Sequence, residues 1–151
     1  MKKMFWLSLP VLICLLLTGC NNFSDNTNTE IQELSEDKNG NFILYVSNQS
    51  FAINPIDIKI YIDDMIAVNE DFDVGIQHTW KPFQFNLPTG THKIKIESVI
   101  GNSILEKNFD IIDNKHWALA QYWYYPENSG DEGLAPKHFS FDIKNEPYYF
   151  K

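Results

Sequence analysis

From residue 41 onward the apolar positions fall at every second residue, and turn-forming residues interrupt them at intervals of about ten. This is the pattern of successive antiparallel strands, each with one face in a core and one face in water. Phe42 to Val46 predicts a first strand, ended by Ser47-Asn48-Gln49-Ser50. Ile56, Ile58, Ile60 and Ile62 alternate with Asp57, Lys59, Tyr61 and Asp63, so one face of the next strand is a β-branched column and the other is polar. Asp63-Asp64 predicts a tight turn into Met65 to Val68, after which Asn69 to Gly75 reads as an acidic, irregular stretch. Phe83, Phe85 and Leu87 point one way between Pro82 and the turn Pro88-Thr89-Gly90. Ile94 and Ile96 continue the inward set, with Lys93, Lys95 and Glu97 outside, and Gly101-Asn102 turns the chain into Ile104 to Ile112. Asp113-Asn114 turns it again into an aromatic strand from His116 to Tyr125, and Phe139, Phe141 and Ile143 mark the last. Seven or eight short strands of this kind, with no sustained helical period, predict an all-β domain over residues 41–151 built as an antiparallel β-sandwich.

The first forty residues follow a different rule. Lys2 and Lys3 precede an apolar run from Phe5 to Leu17, which is shorter than the roughly 20 residues a bilayer span needs. The run ends in Leu17-Thr18-Gly19-Cys20, which resembles the lipobox of bacterial lipoproteins. That resemblance implies cleavage before Cys20, a diacylglycerol on its thiol, and two or three palmitate-type acyl chains, enough for firm anchoring where a single chain holds only marginally. An uncleaved membrane helix and an ordinary secretory signal are the alternatives. Residues 21–40 are rich in Asn, Ser, Thr, Asp and Glu, too polar to offset the entropy of ordering. Ile31 and Leu34 are too few to commit to a helical turn. The expected organisation is a signal peptide over 1–19, a flexible tether over 20–40 and the sandwich over 41–151, on the extracytoplasmic face of a bacterial membrane.

Charge and cysteine content narrow the chemistry. Loss of the signal peptide removes Lys2 and Lys3 and leaves ten lysines against twenty carboxylates, a formal charge of −10 with no arginine. A surface of this kind argues against nucleic acid or anionic headgroups as partners, since both depend on Lys and Arg to neutralise phosphates. Cys14 lies in the signal segment and Cys20 is the lipidation site, so the mature chain has no thiol for a disulfide, a thiolate metal site or a nucleophile. From Ile56 to Ile100, a strand, a short Asp-Asp hairpin and Leu87-Pro88-Thr89-Gly90-Thr91-His92 leading into Ile94-Lys95-Ile96 resemble the PEGA-like and other immunoglobulin-like modules of bacterial envelope proteins, although the PEGA tetrapeptide itself is absent. The resemblance implies an immunoglobulin-like carrier or adhesive sandwich without catalytic residues.

Two sets of residues carry candidate binding chemistry. Asn69, Asp71 and Asp73 place oxygen ligands at alternate positions, as irregular calcium sites in extracellular loops do; the EF-hand pattern fails because Val74 and Trp80 stand where its glycine and glutamate belong. A solvated acidic loop is the simpler reading. His78, His92, His116 and His138 show no zinc spacing and read as strand or turn residues. The aromatics are the sharper signal: Tyr122, Trp123, Tyr124 and Tyr125 crowd one strand, with Trp117, Leu119 and Gln121 sharing the face of Trp123 and Tyr125. One aromatic set fills the core on either reading; the other is covered by the loop from Pro126 to Pro136 or forms a platform for a sugar ring or a partner's chain. There is no GxSxG elbow and no glycine-rich phosphate loop. The expected function is therefore binding of an envelope protein or glycan, with no enzyme activity. A structural subunit of the envelope is the alternative, and a small glycan-acting enzyme built from dispersed carboxylates the third reading.

Overall fold

A computed structural model describes residues 31–75, 79–127 and 134–149. The segment read as a signal peptide, Cys20, His78 and Phe150 lie outside the described residues. The described residues form eight strands: β1 (Phe42–Asn48), β2 (Ile56–Ile62), β3 (Met65–Phe72), β4 (Lys81–Phe85), β5 (Gly90–Ser98), β6 (Ser103–Ile111), β7 (His116–Tyr125) and β8 (Ala135–Lys144). They lie in two four-stranded sheets of order β4-β1-β7-β8 and β3-β2-β5-β6, and neither closes into a barrel. The molecule is a β-sandwich, and none of the described residues is helical.

The inward faces follow the alternation of the sequence. Ile56, Ile58, Ile60 and Ile62 on β2 and Ile94 and Ile96 on β5 are at most 2 % exposed, and they face Phe42, Leu44 and Val46 on β1 and Ala118, Ala120 and Tyr122 on β7. Large and small side chains alternate across the β1–β7 pair, Leu44 lying beside Ala118 and Val46 beside Ala120, so the β-branched column of the other sheet has room to enter. Both long sides are closed by rings: Phe72 of β3 meets Phe83 of β4 at 6.3 Å, and Phe109 of β6 stacks on Phe42 at 5.2 Å while touching Phe141 of β8 at 5.7 Å. Each fully buried aliphatic or aromatic side chain contributes about 1.5–3 kcal/mol relative to exposure.

Polar side chains hold the ends. Asp63 and Asp64 have φ of 49° and 65°, the left-handed geometry of the two-residue hairpin turn that matches strand twist and joins Ile62 to Met65. Asn41 places its amide on both backbone groups of Leu87, accepting from Leu87 N at 2.9 Å and donating to Leu87 O at 2.8 Å, so a side chain extends the pairing of β1 with β4. Asp57 accepts from Ser98 Oγ at 2.6 Å and from the N–H groups of Val99 and Ile100 at 2.9 Å each, which ties the β5–β6 turn to β2. Burial alone would raise the Asp57 pKa, but these donors outweigh it and hold the carboxyl below its ordinary value.

Four expectations need correction. The first strand does not end at Ser47: it runs to Asn48, and Ser47, Asn48, Gln49 and Ser50 are all buried. Their polarity is tolerated because each is paired, Asn48 donating to Ile53 O at 2.8 Å and accepting from Ser50 N at 2.9 Å, Ser50 Oγ donating to Tyr124 O at 2.8 Å, and Gln49 Nε2 donating to Ser47 Oγ at 2.9 Å. The stretch after Val68 is irregular only from Asp73 to Gly75: Asn69 to Phe72 continue β3 against β2. Not every neighbour is antiparallel: β1 and β7 run parallel, since the chain changes sheets four times between them and returns in the same direction. Finally, part of the stretch expected to be a free tether is docked. Gln32 and Leu34 bracket Ile66 in a parallel bridge, Ile66 N donating to Gln32 O at 2.9 Å and Leu34 N donating to Ile66 O at 2.7 Å, and Asp37 N donates to Gln84 O of β4 at 2.8 Å. Residues 32–37 thus cross from the edge of one sheet to the edge of the other, with Leu34 packed against the core.

Gly101, in the β5–β6 turn, sits where a Cβ would come within 2.7 Å of Ser98 Oγ and 2.8 Å of both Ile56 Cδ1 and Tyr122 Cε2. The contacts belong to both sheets, so the clash cannot be relieved by moving one of them. Gly101→Ala is expected to destabilise the domain by roughly 1–3 kcal/mol, the range for overpacking a filled core. Chemical denaturation, comparing midpoints at equal m-value, measures it; a change below about 0.5 kcal/mol would contradict the close packing of this turn.

Candidate functional site

The outward face of the sheet β4-β1-β7-β8 gathers the aromatic signal. Because side chains on paired strands share a face, the register builds rows across it: Gln84, Ile43, Trp117 and Lys144; then Pro82, Tyr45, Leu119 and Asp142; then Ser47, Gln121 and Ser140; and last Trp123 with His138. Trp117, Leu119, Gln121 and Trp123 are half-buried, as a face that is apolar but not in the core must be. Trp123 donates from Nε1 to Ser140 Oγ at 3.0 Å, which fixes the indole plane, and its ring lies 6.2 Å from that of Tyr125. A register shift between Trp123 and Tyr125 re-aims the end of β7 at the place where these two rings meet.

A second aromatic group lies on the same face. Tyr148, beyond the end of β8, turns back so that its ring meets Tyr45 edge-on at 6.5 Å and Trp80 at 6.0 Å, while its hydroxyl donates to Asp142 at 2.8 Å. It thereby bridges the row Tyr45–Leu119–Asp142 from one end to the other. Lys144 Nζ stands 4.6 Å over the same ring. Burial and then the hydrogen bond and charge of Asp142 push the Tyr148 phenol well above the ordinary tyrosine range, so it stays a neutral donor. Tyr149, next in the chain, is exposed.

Of the four aromatic residues expected to bind a ligand, Tyr122 is a correction. It points inward, is fully buried, meets Phe139 edge-on at 5.3 Å and donates its hydroxyl to Gly101 O at 3.2 Å. Burial, with a smaller effect of Tyr124, pushes its pKa up to about 12. Tyr122 is core because it has the same parity as Ala118 and Ala120. Tyr124 is half-buried against the core under Lys137, 5.3 Å from its ring, and carries the carbonyl that Ser50 bonds. Trp123 and Tyr125 are thus the pair on the outward face, extended along β7 by Trp117.

The acidic residues do not converge as a calcium site needs. Asn69 and Asp71 are alternate residues of one straight strand with Asp73 just past its end, and all three are exposed. Such positions are about 7 Å apart, whereas calcium draws its oxygens to about 2.4 Å from one point. Among the described residues no group of three His, Cys, Asp or Glu side chains is placed to hold a metal ion.

One electrostatic element escaped the linear reading. His92 is buried, with Nδ1 2.5 Å from Asp63 Oδ2 and Nε2 2.8 Å from Pro88 O, and Asp63 Oδ1 accepts from Lys93 N at 2.9 Å. Both ring nitrogens face acceptors, an arrangement that suits the imidazolium, which donates twice. Burial alone would lower the His92 pKa, but the bonds to Asp63 and Pro88 and the charges of Asp63 and Asp110 outweigh it and raise it. Burial likewise opposes ionisation of Asp63, and the Lys93 N–H and His92 outweigh it and lower its pKa. The pair clamps the Asp63-Asp64 turn to the β4–β5 turn. His138 Nδ1 lies 2.6 Å from the carbonyl oxygen of Pro136, two residues before it, and is exposed.

Compared with protein-family models, with curated proteins and with solved structures, the chain matches none.

The clamp sets a pH dependence. A raised His92 pKa contributes stability that is full below its unfolded value of 6.5 and fades as pH rises through the folded value; a lowered Asp63 pKa contributes stability that is full above 3.8 and fades as pH falls through its folded value. The stability difference between the parent chain and His92→Gln is therefore expected to be largest between about pH 4 and 6.5 and to shrink on both sides. Denaturation midpoints measured across pH 3–9 check this, and a difference that stays flat across the range would contradict the ion pair.

Proposed function

We propose that this chain is a lipid-anchored extracytoplasmic protein whose sandwich works by binding, through the outward face of β7, to a protein or peptide segment of the cell envelope, with a glycan as the next candidate. The observation that supports it most directly is the line of half-buried Trp117, Trp123 and Tyr125 on one strand face, with polar edges beside the rings at Gln121, Ser140 and His138. Flat rings bounded by hydrogen-bonding groups suit recognition of a chain or a sugar, because they offer contact area with few rotatable bonds to freeze. Anchoring rests on the signal segment and Leu17-Thr18-Gly19-Cys20. The acidic, arginine-free surface supports a partner other than nucleic acid.

An assembly subunit of the envelope is the second reading, supported by β8, a ten-residue strand at the outer position of its sheet. The two readings part on Trp123. With the chain from Asn21 to Lys151 used to capture partners from envelope extract, Trp123→Ala is expected to weaken a platform partner by about 2 kcal/mol, near thirtyfold in Kd, while leaving the melting temperature within a few degrees. A partner held equally by Trp123→Ala would favour an edge contact instead. Cys20→Ser is expected to abolish incorporation of labelled palmitate and to release the protein from the membrane fraction. Retention of the label on Cys20→Ser would overturn the lipidation reading.

A further inference from the structure

β3 is the outer strand of its sheet, and its free side is used only at the start. The chain's own residues 32–34 pair with Ile66 and then leave for β4, where Asp37 bonds Gln84. Beyond Ile66, from Ala67 to Asp71, no other backbone bonds this side of β3 among the described residues. The departure of the segment opens a cleft of about 380 Å³ between the two sheets, with Ala67, Val68 and Asn69 on one wall, Ser35 and Glu36 on the other and Phe83 in its lining. The edge thus already pairs at Ile66 with one segment of the chain, and a cleft runs beside its continuation.

The chemistry of the rim selects the occupant. Glu33, Glu36 and Glu70 line the cleft and Asp71 lies just beyond, all exposed; of these Glu70 is paired with Lys81. A second copy would bring the same carboxylates against themselves, since a two-fold pairing of β3 with β3 sets like beside like. A cationic chain meets no such repulsion. We propose that the edge of β3 from Ala67 to Asp71 receives an extended, lysine-bearing peptide segment of a partner protein as an added strand. Its backbone pairs with β3, alternate side chains turn inward toward Phe83, and the intervening lysines meet the acidic rim. This surface is on the other sheet from the aromatic face and does not depend on the binding role given to Trp123.

The test uses the full chain, Met1–Lys151, purified in neutral detergent, and fluorescence anisotropy of three labelled hexapeptides: alternating lysine and valine, alternating glutamate and valine, and the lysine peptide with a central proline. The lysine peptide is expected to bind, to weaken with added salt, and to lose roughly tenfold in affinity when Glu33, Glu36 and Asp71 are changed to Gln, Gln and Asn together. These carboxylates are exposed, so an unchanged melting temperature separates lost binding from lost folding. The proline peptide is expected not to bind, because it cannot complete the ladder. Equal binding of the proline peptide would overturn strand addition, and equal binding of the glutamate peptide would overturn the charge argument. No binding of the lysine peptide at millimolar concentration would overturn the proposal outright. So would a dimer in sedimentation velocity that this peptide cannot compete away, since a second copy would then hold the edge.

Discussion

The two sheets share one apolar layer, and every other feature of the molecule accommodates that layer. A strand shows only every second side chain to the core, so each sheet supplies half of the filling and neither is stable without the other. The isoleucines of β2 and β5 provide stiff, branched bulk on one side. The other side must leave room for them, and does so by setting Ala118 and Ala120 beside Leu44 and Val46. Phe42, Phe109 and Phe141 then form a run of ring contacts that crosses from one sheet to the other and back.

Such a layer is open at its ends, where the chain crosses between sheets and exposes backbone groups that no ladder satisfies. Here short polar side chains take over the work. Asn41 acts as one more residue of strand for Leu87, Asp57 gathers the β5–β6 turn, Asn48 and Ser50 hold the chain leaving β1, and Asp63 with His92 joins two turns far apart in sequence. Residues 32–37 add a strap across the side between β3 and β4, where Glu70 and Lys81 also pair. The fold thus begins before the strand pattern does.

The surfaces left over differ in chemistry. The outward face of the β7 sheet is aromatic, and part of it is already occupied by the chain's own Tyr148, held by Asp142 and set on Tyr45 and Trp80. That contact shows which kind of group the face accommodates: a planar ring with a polar edge. The free side of β3 is backbone and carboxylate instead, suited to an extended cationic chain. The contacts proposed for the two surfaces are thus of different kinds, side-chain stacking on one sheet and strand addition on the other.

Period-two alternation made eight strands legible, because burial on one side of a pleat writes itself directly into residue order. Ile56 to Ile62, the turn at Asp63-Asp64 and the hairpin at Gly101-Asn102 could all be read this way. The same rule failed at Ser47 to Ser50, whose polar side chains look like a loop and are buried because backbone groups from β7, the β1–β2 loop and β3 come to meet them. It also left open which aromatic set of β7 faces outward; parity with Ala118 decides that Tyr122 is core, but only the partner sheet decides which parity is inside. The clamp of Asp63 on His92, the parallel pairing of β1 with β7 and the docking of Gln32 and Leu34 on Ile66 join residues about thirty to seventy positions apart. Residue order by itself determined the strands and the turns, and it alone carries the reading of a signal segment, since each is set by neighbours a few residues away. The tertiary structure alone decided the sheet order, the buried polar bonds and the make-up of the two surfaces proposed for binding, because those arise where distant segments meet and no local pattern records the meeting.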